Sequence, residues 1–367
     1  MREKKIIQTS LIAIVMNLLL VAFKMGIGLI ANSLSIILDA VNNLSDALSS
    51  IITIGGTTLS KKTADKEHPY GHGRYEYIAA LIVAFIILYA GIQSVIETIK
   101  LWLHPSQPKY SWWSVLIVTV AIFVKIFLGN YVQQVGIQLD SPSLKNSGQD
   151  AKNDSLLSVA TLMSALSSLW LHFEIDKYVS VVIALFILKS GYDILNETLS
   201  RILGERISSS LTSSVIEAAK HVPGVCGVYD LFINDYGPNR WIGSLHVEVE
   251  DTTSASQIDQ LSRKVMRQVY IETGVTLSAV GIYTRNSHSE EVNEMRTGIS
   301  KYCLQLGFVK QVHGFLVDQE NKRIRFDIVV PFGIKSLNQK QMDLKEWIKK
   351  EYPGYAIDLT IDPDTTD

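Results

Sequence analysis

The chain has 367 residues, a formal net charge of −2 and 47% hydrophobic residues. Its C-terminal part lacks the basic excess that binds phosphate groups, which argues against a nucleic-acid-binding protein. The two cysteines, Cys226 and Cys303, are too few for a disulfide framework and fit a reducing cytosol.

Apolar segments dominate roughly the first 200 residues, and each is long enough to cross a bilayer as a helix. No cleavable signal peptide precedes the first segment, so we expect it to remain as a span. The six predicted spans cover roughly residues 6–30, 33–58, 76–99, 113–134, 145–171 and 178–199.

Basic residues near the ends of the first two spans predict the orientation, because short cytoplasmic loops are enriched in lysine and arginine. They are Arg2, Lys4 and Lys5 before the first span and Lys61, Lys62, Lys66 and Arg74 after the second. With six spans, both termini are then cytoplasmic, and we expect a multi-pass protein of the plasma membrane.

Spans two and five differ from the others because Ser, Asn, Asp and Gly interrupt their apolar residues. Leu38–Ser50 reads LDAVNNLSDALSS, and Asn146–Ser155 reads NSGQDAKNDS. Each stretch has an oxygen-bearing residue four positions before an aspartate, which places the pair on one helix face. Polar residues in a bilayer turn toward the bundle interior. We therefore predict one divalent-cation site formed by Asn42, Asp46, Asp150 and Asp154.

Spacing leaves two points open in this prediction. Asp39 and Asn43 lie near the face of the first pair, and Asn153 is next to Asp154, so the identity of each ligand is not fixed. A polar residue such as Asp46 could also serve only to hold helices together by hydrogen bonds. Three lysines in apolar segments, Lys24, Lys125 and Lys189, are expected to snorkel or to form internal ion pairs.

The donor atoms of the predicted quartet restrict the ion. Carboxylates and an amide, without imidazole or thiolate, favour Mg²⁺, Ca²⁺ or Mn²⁺ over zinc and copper. Three carboxylates in a low dielectric cannot all stay ionised without metal, so metal entry should release protons. The metal is then a substrate with H⁺ as the counter-ion, and no cofactor is required.

The loop between spans two and three contains a second group of candidate ligands. Asp65, His68 and His72 follow the spacing i, i+3, i+7 in DKEHPYGHGR, and a proline and two glycines can turn the loop so that they converge on a metal. A structured loop whose histidines bond to the backbone explains the same residues equally well.

Beyond Arg201 the pattern changes to amphipathic helices and alternating strands. The order helix, strand, strand, helix, strand is predicted twice, which indicates two small cytosolic α+β modules in tandem. The first unit covers Ile207–Ala219, Gly227–Asn234, Trp241–Glu250, Ser256–Thr273 and Thr276–Thr284. The second covers Glu291–Leu306, Val309–Asp318, Arg323–Pro331, Leu337–Tyr352 and Ala356–Ile361. The predicted domains are residues 1–204, 205–287 and 288–367.

The stretch HPYGHGRYEYIAAL, which begins at His68, closely resembles the HPxGHGRxE signature of the cation diffusion facilitators. This resemblance implies six spans, a ferredoxin-like cytosolic domain, and a homodimer joined through its cytosolic domains and the membrane. It also implies proton-coupled export of a divalent metal from the cytoplasm by alternating access. The quartet resembles that of the manganese-exporting branch, since zinc members usually have a histidine there. The resemblance further favours a peripheral metal site at Asp65, His68 and His72.

Two features depart from the family pattern. Some zinc-transporting members bind metal in the cytosolic domain through histidines, where this chain has Tyr229, Asp259 and Tyr283. Only Asp259 could bind an ion there, and we expect His246 to be a core or surface histidine. The second α+β module is also additional to the commonest pattern.

The sequence thus predicts a proton-coupled exporter of Mn²⁺, with Zn²⁺ or Fe²⁺ as alternative cargo. A membrane-anchored metal sensor or scaffold is a less favoured alternative. No nucleophile–base pair or glycine-rich phosphate loop indicates an enzyme.

Overall fold

The computed structural model describes residues 2–104, 107–139, 142–171, 173, 175–237, 240–286 and 289–364. They fall into two compact units, Met1–Leu203 and Gly204–Asp367. The boundary agrees with the predicted change of character after Arg201.

Long helices make up the first unit, and each coincides within a few residues with a predicted span. They are α1 (Arg2–Ala31), α2 (Leu34–Ser60), α3 (Tyr75–Leu103), α4 (Trp112–Gln138), α5 (Pro142–Leu166), which continues as a π-helical turn (Ser167–Leu171), and α6 (Asp176–Leu203). Among the described residues, five of these helices are long and apolar enough to cross a membrane. Helix α2 is comparable in length but falls outside this set, because Ser, Asn and Asp recur along it.

The outer faces of the helices are apolar, and the interior holds the charged groups. Large side chains such as Phe23, Phe85 and Phe127 are exposed, whereas Lys24 and Lys125 are fully buried. This is the reverse of a water-soluble protein and fits a bundle whose surface faces hydrocarbon. The unit is therefore a helical membrane domain.

Helices α3 and α6 pack at close range because each has a glycine where the other approaches. A Cβ atom at Gly91 would lie 2.8 Å from Leu188 Cα, and one at Gly191 would lie 2.8 Å from the backbone nitrogen of Leu88. Small residues allow helix backbones to come together in a membrane, where contact area provides much of the association energy.

The second unit contains two modules with the same order of elements, as predicted. The first module comprises α7 (Ser209–Lys220), β1 (Gly227–Asp235), β2 (Trp241–Glu250), α8 (Ala255–Thr273) and β3 (Thr276–Arg285). The second module comprises α9 (Glu290–Gln305), β4 (Gln311–Asp318), β5 (Arg323–Val330), α10 (Leu337–Glu351) and β6 (Ala356–Pro363). In each three-stranded sheet the first two strands are antiparallel and the last two are parallel.

Each module has its own hydrophobic core, which packs helices against one face of its sheet. Val265 and Val269 of α8 pack against Leu245 and Val247 of β2, and Ile348 of α10 packs with Phe326 of β5. The modules contact each other through strands β3 and β4. An ion pair of 3.0 Å between Arg296 and the buried Glu248 also joins them.

Candidate metal sites

Helix α2 presents a polar face to the interior of the bundle. Ser33 caps its N-terminus by accepting a hydrogen bond from the Ile36 backbone N–H at 3.3 Å. Asn42 and Asn43 are buried, and the side chain of Asp46 is 35% exposed because it opens into a cavity. The helix face that the sequence spacing predicts to point inward is therefore the face that the structure buries.

Helix α5 supplies the other wall of this cavity, which has a volume of about 380 Å³. Asp154 is nearly buried, whereas Asp150, one turn earlier, is open to the cavity. All four residues of the predicted quartet line this cavity: Asn42, Asp46, Asp150 and Asp154. No histidine or cysteine is among the described residues that line it.

The structure also bears on the alternative ligands that spacing left open. Asn153 lines the cavity, but Asp39 and Asn43 are not among its described lining residues. Asn42 has a buried amide nitrogen with no hydrogen-bond partner among the described residues. An unpaired buried donor is costly, and a water molecule in the cavity would satisfy it, which leaves the amide oxygen of Asn42 for an ion.

Lys125 of α4 lies between the two helices that form the cavity. Its ammonium nitrogen is 3.3 Å from Asp46 Oδ2 and 3.1 Å from Asp154 Oδ2, and it donates a short hydrogen bond to Asn43 Oδ1. The side chain is fully buried, so its charge needs these partners. The expected internal ion pair of this lysine is present, and it involves two of the predicted metal ligands.

A second buried ion pair lies on the same helices. Lys24 of α1 is 2.8 Å from Asp39 Oδ2, and it also donates a hydrogen bond of 2.8 Å to Ser158 Oγ. Ser158 in turn donates to Asp39 at 3.1 Å. Because Asp39 forms an ion pair with Lys24, its carboxylate is not directed at the cavity as a cation ligand. Lys189, by contrast, is exposed, as expected for a snorkelling lysine.

A buried carboxylate at the start of α6 was not predicted from the sequence. Asp176 accepts hydrogen bonds from Ser33 at 2.7 Å and from Ser35 and Tyr110 at 2.5 Å each. The backbone N–H of Leu34 donates to its other oxygen at 3.2 Å. These bonds connect the beginnings of α2 and α6, and they leave the carboxylate well satisfied, so its role is structural.

The loop after α2 brings Asp65, His68 and His72 together, with one ligand atom from each within 4.8 Å of the others. His68 Nδ1 is 3.3 Å from Asp65 Oδ1, and His72 Nε2 is 3.5 Å from Asp65 Oδ2. A hydrogen bond from Lys62 and one from the backbone of His68 hold the pKa of Asp65 well below its usual range. The carboxylate is therefore ionised and available to a cation.

The orientation of His72 suits a metal ligand. The ring is buried, and its Nδ1 lies 3.1 Å from the backbone carbonyl of Thr63. When Nδ1 donates to that carbonyl, Nε2 carries a lone pair directed at Asp65 and His68. The rings of His68 and His72 have their centroids 4.5 Å apart. The structure is consistent with both explanations of the loop. The three side chains converge as metal ligands would, and one histidine nitrogen also bonds to the backbone.

A bundle of membrane helices around a cavity of carboxylates is the arrangement of a cation transporter. A sequence model of the cation efflux transmembrane domain matches residues 10–203, which is more than half of the chain. The chain belongs to the cation efflux family, and it is a multi-pass membrane protein of a family of transporters.

Relatives of this chain differ in the ions that their names give. The magnetosome protein MamM of Magnetospirillum gryphiswaldense is 27% identical over 70% of this chain and 81% of its own length. The manganese efflux system protein MneS of Bacillus subtilis is 26% identical over 74% of this chain and 93% of its own. A cadmium, cobalt and zinc/H⁺-K⁺ antiporter of Bacillus subtilis is 22% identical over 73% and 85%. The family is therefore clear, and the transported ion is a separate question.

Replacing Lys125 with methionine should destabilise the metal-free protein, because Asp46 and Asp154 lose their buried counter-charge. Removing one partner of a buried ion pair costs about 3–5 kcal/mol. Added Mn²⁺ should then raise the melting temperature in detergent more for the Lys125→Met variant than for the wild type. Lys189→Met is the matched control, since Lys189 is exposed on an apolar helix. Equal melting temperatures for both variants, with and without metal, would contradict the assigned pairing.

Proposed function

We propose that this protein exports a divalent transition-metal cation, Mn²⁺ in the first place, from the cytoplasm in exchange for protons. The observation that carries the proposal is the cavity between α2 and α5, which is lined by Asn42, Asp46, Asp150 and Asp154, and we take these four residues as the oxygen ligands. A site with only oxygen ligands favours Mn²⁺ over Zn²⁺ and Cu²⁺. The name of the relative MneS supports the same ion.

The charge balance in the cavity supports the proton exchange. Three aspartates line it, and Lys125 contributes one positive charge to two of them, so the formal charge of the ion-free site is −2. One divalent metal ion neutralises this charge, and so do two protons. Carboxylates crowded in a low dielectric do not all remain ionised, so protons take the place of the departing metal. Exchange of one metal ion for two protons should be insensitive to an imposed membrane potential.

Helix α2 is proposed as the sixth span despite its polar composition. Its polar side chains face Lys24, Lys125 and the cavity rather than the outside of the bundle. Intramembrane polar residues with partners of this kind are the ones that bilayers tolerate. With six spans and basic residues near the first two, both termini are cytoplasmic, and the two α+β modules form ferredoxin-like cytosolic domains.

Asp46→Ala and Asp154→Ala should each abolish Mn²⁺ flux, because each removes a ligand from the shared cavity. The measurement is Mn²⁺ uptake into proteoliposomes with an imposed pH gradient, after equal incorporation has been checked. Asp193→Ala is the control, since Asp193 lies exposed on α6. Flux close to wild type in either cavity variant would rule out this transport site.

The selectivity of the site should respond to a single ligand. Asn42→His replaces an amide oxygen with an imidazole nitrogen, which is a better ligand for zinc. We expect the ratio of Mn²⁺ to Zn²⁺ flux in proteoliposomes to fall. Asn43→His serves as the comparison, because Asn43 contacts Lys125 and is not among the described cavity residues. An unchanged ratio for Asn42→His would remove the main reason for naming Mn²⁺ as the cargo.

Asp65, His68 and His72 are proposed to hold a second metal ion outside the membrane span. His68→Ala should lower the metal affinity at least about tenfold, since mutation of residues that only orient a metal ligand already has an effect of that size. Bound Zn²⁺ is measured by elemental analysis after gel filtration, in an Asp46→Ala parent that lacks the transport site. His104→Ala is the control, because His104 is exposed at the end of α3. Equal metal content in both variants would leave the loop with a structural role only.

A further inference from the structure

A lysine ammonium bridges the two helices that form the transport cavity. Lys125 Nζ lies 3.3 Å from Asp46 Oδ2 on α2 and 3.1 Å from Asp154 Oδ2 on α5. The lysine itself comes from a third helix, α4, and its side chain is fully buried. One positive charge of the protein therefore lies between two carboxylates that we take as metal ligands.

The three N–H groups of this ammonium match three oxygen atoms. An ammonium group has three donors and no acceptor. Besides its contacts with Asp46 and Asp154, Lys125 donates a short hydrogen bond to Asn43 Oδ1. A divalent ion bound between the two aspartates would take two of these three oxygens. Asn43 is the partner that Lys125 would keep.

A metal ion and the ammonium cannot share the two carboxylates at these distances. Carboxylate oxygens lie about 2.0–2.2 Å from a bound transition-metal ion, which is much closer than the ammonium is to either aspartate. A double and a single positive charge a few ångströms apart also repel strongly where the dielectric is low. Metal entry therefore requires Lys125 to move away from at least one of its aspartates.

The buried face of α2 offers Lys125 other partners. Asn43 is fully buried and is not among the described residues that line the cavity, so a metal ion in the cavity does not compete for it. Asp39, which is also fully buried, lies one turn earlier on the same helix face. Ser158 of α5 donates a hydrogen bond of 3.1 Å to Asp39, so polar contacts between the two helices continue in this direction. A long and flexible lysine side chain can follow this face.

The other buried lysine of the bundle provides a comparison. Lys24 Nζ lies 2.8 Å from Asp39 Oδ2 and 2.8 Å from Ser158 Oγ. Neither partner is among the described residues that line the cavity, so an ion bound there takes no partner from Lys24. Lys125 differs because two of its three partners belong to the predicted quartet.

We propose that Lys125 is a positioning residue for metal release. It pairs with Asp46 and Asp154 when the cavity holds no metal, and it moves toward Asn43 and Asp39 when metal binds. By returning to the two aspartates, the ammonium competes with the metal, which lowers the metal affinity and speeds release. This role rests on the proposed function and adds to it a residue that is not itself a metal ligand.

The first test is Lys125→Met in the full-length protein, with Mn²⁺ binding measured by calorimetry in detergent and Mn²⁺ uptake measured in proteoliposomes. The dissociation constant should fall about tenfold or more, because metal entry no longer breaks a buried ion pair. The half-saturating Mn²⁺ concentration and the maximal rate of uptake should both fall, because the metal leaves more slowly. A purely structural ion pair predicts weaker binding, since its loss would disorder the ligands. Lys189→Met is the control, because Lys189 is exposed on α6.

The second test keeps the lysine and both aspartates. Asn43→Leu removes the one partner that Lys125 retains when metal takes the other two. The dissociation constant for Mn²⁺ should rise about tenfold, which is the effect of one hydrogen bond to a charged group. The double variant should bind Mn²⁺ like Lys125→Met alone, because Asn43 acts only through the lysine. Asn43→Leu leaves both ion pairs of Lys125 in place, so it should fold even if Lys125→Met does not.

The outcomes separate this role from the proposed function. Wild-type Mn²⁺ binding that Asp154→Ala leaves intact would refute the transport site, and the role of Lys125 would fall with it. Normal wild-type transport, together with unchanged or weaker Mn²⁺ binding in Lys125→Met, would overturn only the role in release. Equal Mn²⁺ affinities of the wild type and Asn43→Leu would likewise overturn the exchange of partners.

Discussion

The membrane unit depends on one constraint, which is that a charge buried away from water must have a partner of opposite charge. Lys24 is paired with Asp39, and Lys125 is shared between Asp46 and Asp154. Together these contacts connect α1, α2, α4 and α5. The polar face of α2 is tolerated because these partners are within reach. The same requirement makes the cavity suited to a cation, since the carboxylates outnumber the lysine beside them.

Much of this arrangement could be predicted from the sequence, because local patterns determine it. The helices follow from runs of apolar residues, and the two modules follow from a repeated order of helices and strands. Helical spacing placed Asn42 with Asp46 and Asp150 with Asp154, and the structure brings both pairs to one cavity. Spacing could not show that Lys125 meets two of these residues, because that contact depends on how α4 packs against α2 and α5.

The place where the two α+β modules meet shows the limit of local patterns more clearly. Asp230, His313 and Asp362 come together there from three strands in two modules, so no spacing in the sequence relates them. Asp259, the only one of the three family positions whose side chain could bind an ion, forms an exposed ion pair of 3.1 Å with Arg263 on its own helix. Tyr229 and Tyr283 lie at the meeting of the modules, where Tyr229 stacks on His313 and Tyr283 stacks on His246. The expectation that His246 is a plain surface or core histidine missed its contact with Asp230.

The second module also bears on how copies of the protein could associate. Strands β3 and β4 pack against each other within one chain, and Arg296 and Glu248 close the same interface. A second copy of the chain therefore cannot use this surface while the modules remain joined. The homodimer implied by the family resemblance remains a prediction. If it forms through the cytosolic units, it must use surfaces other than those through which the two modules contact each other. The interface between two similar modules would then lie within one chain, because the two modules are repeats of one fold.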